Sequence, residues 1–157
     1  MTEKLHENDL KILEILQRDA TRSLDSISAE IGVSLNTCWR RVQKLEESGI
    51  IERRVALLDN EKLGSGLTVF VSVRTNDHSK AWAERFANAV NSFPEIVEFY
   101  RLAGDTDYIM KILVGNVGEY DRVYQALIAK VSLSDVSASF AMEKMKFTTE
   151  LPLRGKF

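Results

Sequence analysis

Between Ser34 and Arg54 the chain collects side chains that can bond a nucleic acid in two different ways. Asn36, Thr37, Arg40 and Arg41 carry amide, hydroxyl and guanidinium groups. Such groups read base edges, Arg bonding guanine bidentately and Asn bonding adenine. Ser34, Lys44, Arg53 and Arg54 suit phosphate oxygens, contacts that set affinity and register rather than sequence preference. Trp39 either packs against the edge of a helical domain or touches the duplex. On an arbitrary helix these residues would form a solvated polar face, so their meaning depends on the element that carries them.

A second group lies at Ala103-Gly104-Asp105-Thr106-Asp107-Tyr108. A small ligand bearing an ammonium and a carboxylate would need acceptors for the first and donors for the second. Asp105 or Asp107 can supply the first, turn amides the second, and Tyr108 a wall. A tight hairpin explains the same residues, with Gly supplying positive φ and Asp bonding its own turn amides. The two readings are compatible.

Other chemistries find no support. A single cysteine, Cys38, excludes an internal disulfide framework, and His6 and His78 add no cluster at metal-ligand spacing, so neither a metal nor another cofactor is expected. Cys38 falls on an apolar helical stripe, where packing is the better reading than redox sensing. His78 sits in the polar stretch Asn76-Asp77-His78-Ser79, which a helix start explains. An enzyme using Asp105, Asp107 and Tyr108 as acid and base groups is disfavoured, because no Ser-His-Asp, Cys-His or phosphate-loop arrangement accompanies them.

The elements that must position these groups have two different periods. In 157 residues, 45% of them hydrophobic, there is material for one medium domain or two small ones. Residues 5–50 repeat apolar positions at helical spacing. Leu10, Leu13 and Leu16 give a first helix one buried face, with Asn8 or Asp9 as its N-cap. Leu24, Ile27 and Ile31 give a short second helix, with Asp25 or Ser26 near its start and Gly32 past its end. A third runs from Ser34, its cap, to about Ser48-Gly49, burying Cys38, Val42 and Leu45. Two short helices joined by a Gly-containing turn, the second presenting the polar set above, form a helix-turn-helix whose second helix enters the major groove of double-stranded DNA. The net charge of −2 argues against indiscriminate binding, since non-specific affinity comes from neutralising phosphates. The basic residues are nonetheless concentrated in this third helix and just after it.

From residue 51 a strand-like alternation, Ile51, Arg53, Val55 and Leu57, suggests a wing or connecting strand. Beyond it the segments Leu67–Thr75, Ile96–Ala103, Tyr108–Val114 and Val136–Thr148 read as strands and Ser79–Asn91 and Glu119–Val131 as helices, the first of these helices with Trp82, Phe86 and Val90 on one side. The order β-α-β-β-α-β is the ferredoxin-like split βαβ pattern, so the fold class is α+β. Both helices cover one face of such a sheet, and the other is expected to pair with a second copy. No apolar run reaches a membrane span, and Met1-Thr2-Glu3-Lys4 does not resemble a secretory leader, which predicts a cytoplasmic, nucleoid-associated protein.

With both halves in view, the chain resembles the Lrp/AsnC family of feast/famine regulators from about Leu5 to Leu153. Three motifs carry the resemblance. Ile31-Gly32-Val33-Ser34-Leu35-Asn36-Thr37-Cys38-Trp39-Arg40-Arg41-Val42-Gln43-Lys44-Leu45-Glu46 with Gly49-Ile50-Ile51 is similar to the family's recognition helix and its exit. Val55-Ala56-Leu57-Leu58-Asp59 is similar to its hinge strand, and Gly104-Asp105-Thr106-Asp107-Tyr108 to the turn at its effector pocket. The resemblance implies a winged helix-turn-helix joined to a RAM-type αβ-sandwich. It also implies homodimers that pair through their sheets and assemble into octamers or similar rings. A small-molecule effector, an amino acid, would bind between dimers beside the 103–108 turn. Ser139-Phe140-Ala141-Met142-Glu143, Phe147-Thr148-Thr149-Glu150-Leu151-Pro152 and Cys38-Trp39-Arg40-Arg41 are similar to the branch that includes cysteine-responsive regulators.

The expected organisation is a DNA-binding domain over 1–50, a wing and linker over 51–65, an effector and oligomerisation domain over 66–150, and a tail over 151–157. One departure stands out. Where many members have Leu-Pro-Gly-Val after the second sensor helix, this chain has Val131-Ser132-Leu133-Ser134-Asp135-Val136, one residue shorter and beside the implied pocket. An architectural DNA-binding regulator without an effector is therefore the alternative. A sensor-only protein is disfavoured by the intact residues 5–50.

Overall fold

The helical periodicity of the first third is realised as α1 (Glu7–Leu16), α2 (Leu24–Ile31) and α3 (Leu35–Glu47) in a computed structural model that describes residues 5–153. The expected start at Met1–Lys4 and the end of the tail after Leu153 lie outside the described residues. Helix α1 is not capped by Asn8 or Asp9. His6 is the N-cap: its Nδ1 accepts the Asn8 N–H at 3.2 Å, and Asp9 Oδ2 accepts the His6 N–H at 2.9 Å. This reciprocal box satisfies two amides that a helix start leaves without intrahelical partners. Helix α2 starts on Ser23 and ends at Gly32, whose φ of +73° is a left-handed conformation that a side chain would strain. Ser34 then caps α3, its Oγ accepting the Thr37 N–H at 3.2 Å.

Ile12, Leu13, Ile27, Cys38, Val42 and Leu45 are buried together, with Leu5, Ile15, Leu16 and Leu153 packed against them. The α3 stripe is the expected one. The face of α1 is rotated toward Ile12, while Leu10 and Leu16 stay half-buried. Fully burying each such side chain contributes about 1.5–3 kcal/mol, so three short helices hold together by this core rather than by propensity.

The expected strand over 51–58 does not form. Val55, Leu57 and Leu58 are exposed and the segment has no regular structure. A strand is stable only with a partner to take its amides and carbonyls, and none of the described residues pairs with it.

The second half contains β1 (Leu67–Arg74), α4 (Lys80–Asn91), β2 (Ile96–Arg101), β3 (Tyr108–Val114), α5 (Val117–Ile128) and β4 (Asp135–Phe140). The strands lie in the order β2-β3-β1-β4, all antiparallel, which is the ferredoxin-like topology. Alternation sorts β1: Val69, Val71 and Val73 are buried while Phe70 and Arg74 are exposed. On the inner face these valines join Met110, Ile112 and Val114 of β3 and Trp82, Phe86 and Val90 of α4.

The last strand stops well short of Thr148. Ala141 still donates to the Thr68 carbonyl at 2.9 Å, but β1 begins at Leu67, so beyond that point the ladder has no partner. The chain thus divides into two compact units. One is made of residues up to Ala56 together with those from Lys146, the other of Leu57–Met145.

Candidate nucleic-acid interface and effector turn

The polar set of α3 is carried on the side opposite its buried stripe. Ser34, Asn36, Trp39, Arg40 and Lys44 are exposed and Thr37 half-buried. Trp39, half exposed, leaves a large apolar face at the edge of this surface. The Ser34 hydroxyl donates to Thr37 Oγ1 at 2.9 Å, which fixes both side chains at the helix start. No acidic residue lies in the first turn, so the partial positive charge of the helix N-terminus is uncompensated and available to an anion such as phosphate.

Arg41 stands apart from this set. Its Nη1 donates to Asp9 Oδ1 at 2.9 Å, and only about a quarter of its side chain is exposed (26%, against 15% for Asp9). Expected on the DNA face, it instead ties α3 to the start of α1. One carboxylate therefore both closes the α1 cap and grips α3. Sequence reasoning offers Asp9 only as an N-cap and gives His6 no capping role, and it misses the Asp9–Arg41 pair. The His-x-x-Asp spacing is the capping-box signal in an unusual residue choice. Of the two basic residues after α3, Arg54 pairs with Glu46 at 2.9 Å across an exposed surface, a contact of little net energy that phosphate can displace. Arg53 is exposed.

The 103–108 turn is built differently. Gly104 adopts φ +151°, and the Leu102 N–H donates to the Asp107 carbonyl at 2.8 Å to close the turn. The Asp107 side chain does not bond its own turn. Its Oδ2 accepts the Thr75 N–H at 2.8 Å, and its Oδ1 lies 3.9 Å from His78 Nδ1. This carboxylate braces the segment that leads into α4. Thr75, buried and not foreseen, continues the brace by exchanging bonds with the Asp77 backbone. Asp77 is itself held below the usual carboxylate range by the Ser79 hydroxyl and amide.

Tyr108 is buried, stacked on Phe99 at 5.5 Å and edge-on to Phe86 at 5.2 Å. Its ring belongs to the core beneath the helices rather than to a wall at the turn. Ala103, Gly104 and Asp105 are exposed and Thr106 and Asp107 half-buried, so the groups left at the surface are the 103–106 backbone and the Asp105 carboxylate. Cys38 is buried, and burial pushes its thiol up from the ordinary range. Among the described residues no group of His, Cys, Asp and Glu is placed to hold a metal ion. None of their helices is long and apolar enough to cross a membrane.

Two family models match the chain along its length. Residues 5–52 match a winged helix-turn-helix DNA-binding model and residues 68–151 the Lrp/AsnC ligand binding domain. The glutamate uptake regulatory protein of Zymomonas mobilis subsp. mobilis is 50% identical over 153 residues, covering 98% of this chain and 93% of that one. The DNA-binding transcriptional activator DecR of Escherichia coli (strain K12) is 44% identical over 146 residues, covering 92% and 96%. Among solved structures, an AsnC family transcriptional regulator from Agrobacterium tumefaciens superposes with a TM-score of 0.92 at 50% identity, over 95% of this chain and 97% of that one. A transcriptional regulator from Neisseria meningitidis, in complex with L-Met, does so with a TM-score of 0.90 at 31% identity, over 96% and 98%. The chain belongs to the Lrp/AsnC family and is, accordingly, a DNA-binding transcriptional regulator with an effector-binding domain, not an enzyme.

Proposed function

We propose that this regulator reads a specific DNA site with the outer face of α3 and that an amino acid, bound at the sensor domain, alters its assembly or its DNA affinity. The observation that carries the first part is the pairing of an uncompensated helix N-terminus with exposed Asn36 and Arg40 on one face. In this reading Asn36, Thr37 and Arg40 contact base edges, and Ser34, Lys44, Arg53 and Arg54 contact phosphates. Trp39 lines the groove edge. Arg41 holds α3 in place from behind.

The second part draws on the ligand-binding model over residues 68–151 and on the relatives: one similar structure contains L-Met, and one similar protein is named for glutamate uptake. The effector contacts fall on Ala103, Gly104, Asp105, Thr106 and Asp107, the backbone amides taking the carboxylate and Asp105 the ammonium, while Tyr108 supports the turn from the core. The outer face of the sheet is the surface by which two copies pair. It presents Phe70, Tyr100, Ile109 and Leu113, all at least partly exposed, around an ion pair between Lys111 and Glu98 at 2.8 Å. Such dimers present two recognition helices to a palindromic site, and assemble further into octamers or similar rings in the cytoplasm. An effector coupling of about 1–3 kcal/mol would change occupancy from severalfold to a hundredfold.

A thermal-shift screen against the twenty amino acids tests the effector reading, because a ligand that binds only the native state raises its melting temperature. A saturable rise is expected, with cysteine, methionine and glutamate as the first compounds to try. No rise with any of them would favour the architectural regulator.

A further inference from the structure

The end of α1 and residues 150–151 meet in the DNA-binding unit. The ligand-binding family model runs to residue 151, yet residues from Lys146 belong to the compact unit formed by the helix-turn-helix. Gln17, the C-cap residue of α1, turns its carboxamide onto the backbone of Leu151. Its Oε1 accepts the Leu151 N–H at 2.9 Å, and its Nε2 donates to the Leu151 carbonyl at 3.2 Å. These are the two bonds that an antiparallel strand makes with one residue of its neighbour, supplied here by a side chain with one acceptor and one donor.

The flanking residues fix the register. Arg18 Nε lies 3.0 Å from Glu150 Oε2, Thr148 Oγ1 accepts the Glu150 N–H at 3.1 Å, and Leu153 packs against the core of the three helices. Pro152 stands between the two anchored leucines, where its fixed φ and missing N–H suit an extended peptide. The Arg18–Glu150 pair is largely exposed, so it orients the segment more than it stabilises it.

We propose that residues 148–153 act as a clasp that positions α1, and through α1 the recognition helix, for DNA binding. Each step of the route is a contact within one compact unit. The clasp holds the end of α1 through Gln17 and Arg18. Helix α1 holds α3 through the Asp9–Arg41 pair and through a shared core. The sensor unit is inserted between the two pieces of the DNA-binding unit, so the chain that leaves β4 is a covalent link from sensor to clasp. Gln17 and Arg18 are thus positioning residues for DNA recognition, and the tail is part of the reading unit.

The test uses the full chain and a duplex enriched from a random library by the wild-type protein. Wild-type binding to that duplex is the control that separates this proposal from the DNA-binding reading itself. Gln17→Ala is expected to weaken binding about three- to tenfold, the equivalent of one or two hydrogen bonds, at a temperature where circular dichroism shows the protein fully folded. Arg18→Glu is expected to weaken it by a smaller factor, and Arg18→Glu combined with Glu150→Arg to restore it. A Gln17→Ala protein that melts earlier but binds DNA as tightly as wild type would overturn the proposal. Failure of the charge exchange to restore binding would count against it equally.

Discussion

The outer face of α3 and the 103–108 turn both bring polar side chains together, but they leave them in different states. On α3 the internal bonds are made at the ends and the back: Ser34 caps the helix and Arg41 is tied to Asp9, which leaves Asn36 and Arg40 exposed. At the turn the most promising group, the Asp107 carboxylate, already holds the Thr75 amide, and the Tyr108 ring is in the core. A surface that reads a large partner can be complete in one chain. A site for a small ligand has to surround it, and one turn with a single outward carboxylate, Asp105, does not. That difference is what the proposed function rests on: an effector site that draws on more than one copy, and a DNA-reading surface on α3 that need not.

Three perturbations probe that contrast. The largest effect is expected for Asp9→Ala, which leaves the mostly buried Arg41 guanidinium without its partner and opens the α1 cap. A loss of about 2–3 kcal/mol in the stability of the DNA-binding unit is expected by chemical denaturation, below the range for a fully buried pair because both groups keep some solvent. Stability within a few tenths of wild type would show that the pair is incidental.

Asp107 offers a finer division. Replacing it with Ala orphans the Thr75 amide, at a cost of about 1–2 kcal/mol to the sensor unit. Asp107→Asn keeps an oxygen for that amide and is expected to melt close to wild type while removing the negative charge. An amino-acid thermal shift that survives in Asp107→Asn would assign the carboxylate to the brace alone, and one that disappears would place it at the ligand. The smallest effect concerns Cys38. Its thiol, raised by burial, carries little thiolate at neutral pH, so a thiol reagent is expected to react only after unfolding. Rapid reaction of the native protein would contradict the packing assigned to it.

How much of this was legible in the sequence follows the range of the interactions involved. The α3 stripe and its Ser34 cap, Gly32 at the end of α2 and the order of sensor elements all rest on local periodicity and local bonds, and they are read directly from spacing. Helical position alone allows Arg41 on the DNA face. Only the approach of α1, bringing Asp9 within 2.9 Å, gives it another task. Turn chemistry predicts that Asp107 bonds its own turn, but its partner is 32 positions earlier. Tyr108 follows the same logic, since strand alternation says that it faces one side but not that the side is the helical core. The failed strand over 51–58 shows the converse: an alternating pattern states a capacity to pair, and pairing needs a partner that the described chain does not provide.

The most direct test of the account is the affinity of Arg40→Ala for the selected duplex and for a scrambled duplex of the same length, measured at one salt concentration. Specific binding is expected to fall by about 1–3 kcal/mol while the scrambled duplex is bound much as before and the oligomer is unchanged. Specific affinity equal to wild type in a folded Arg40→Ala protein would contradict the assignment of α3 as the element that reads the DNA.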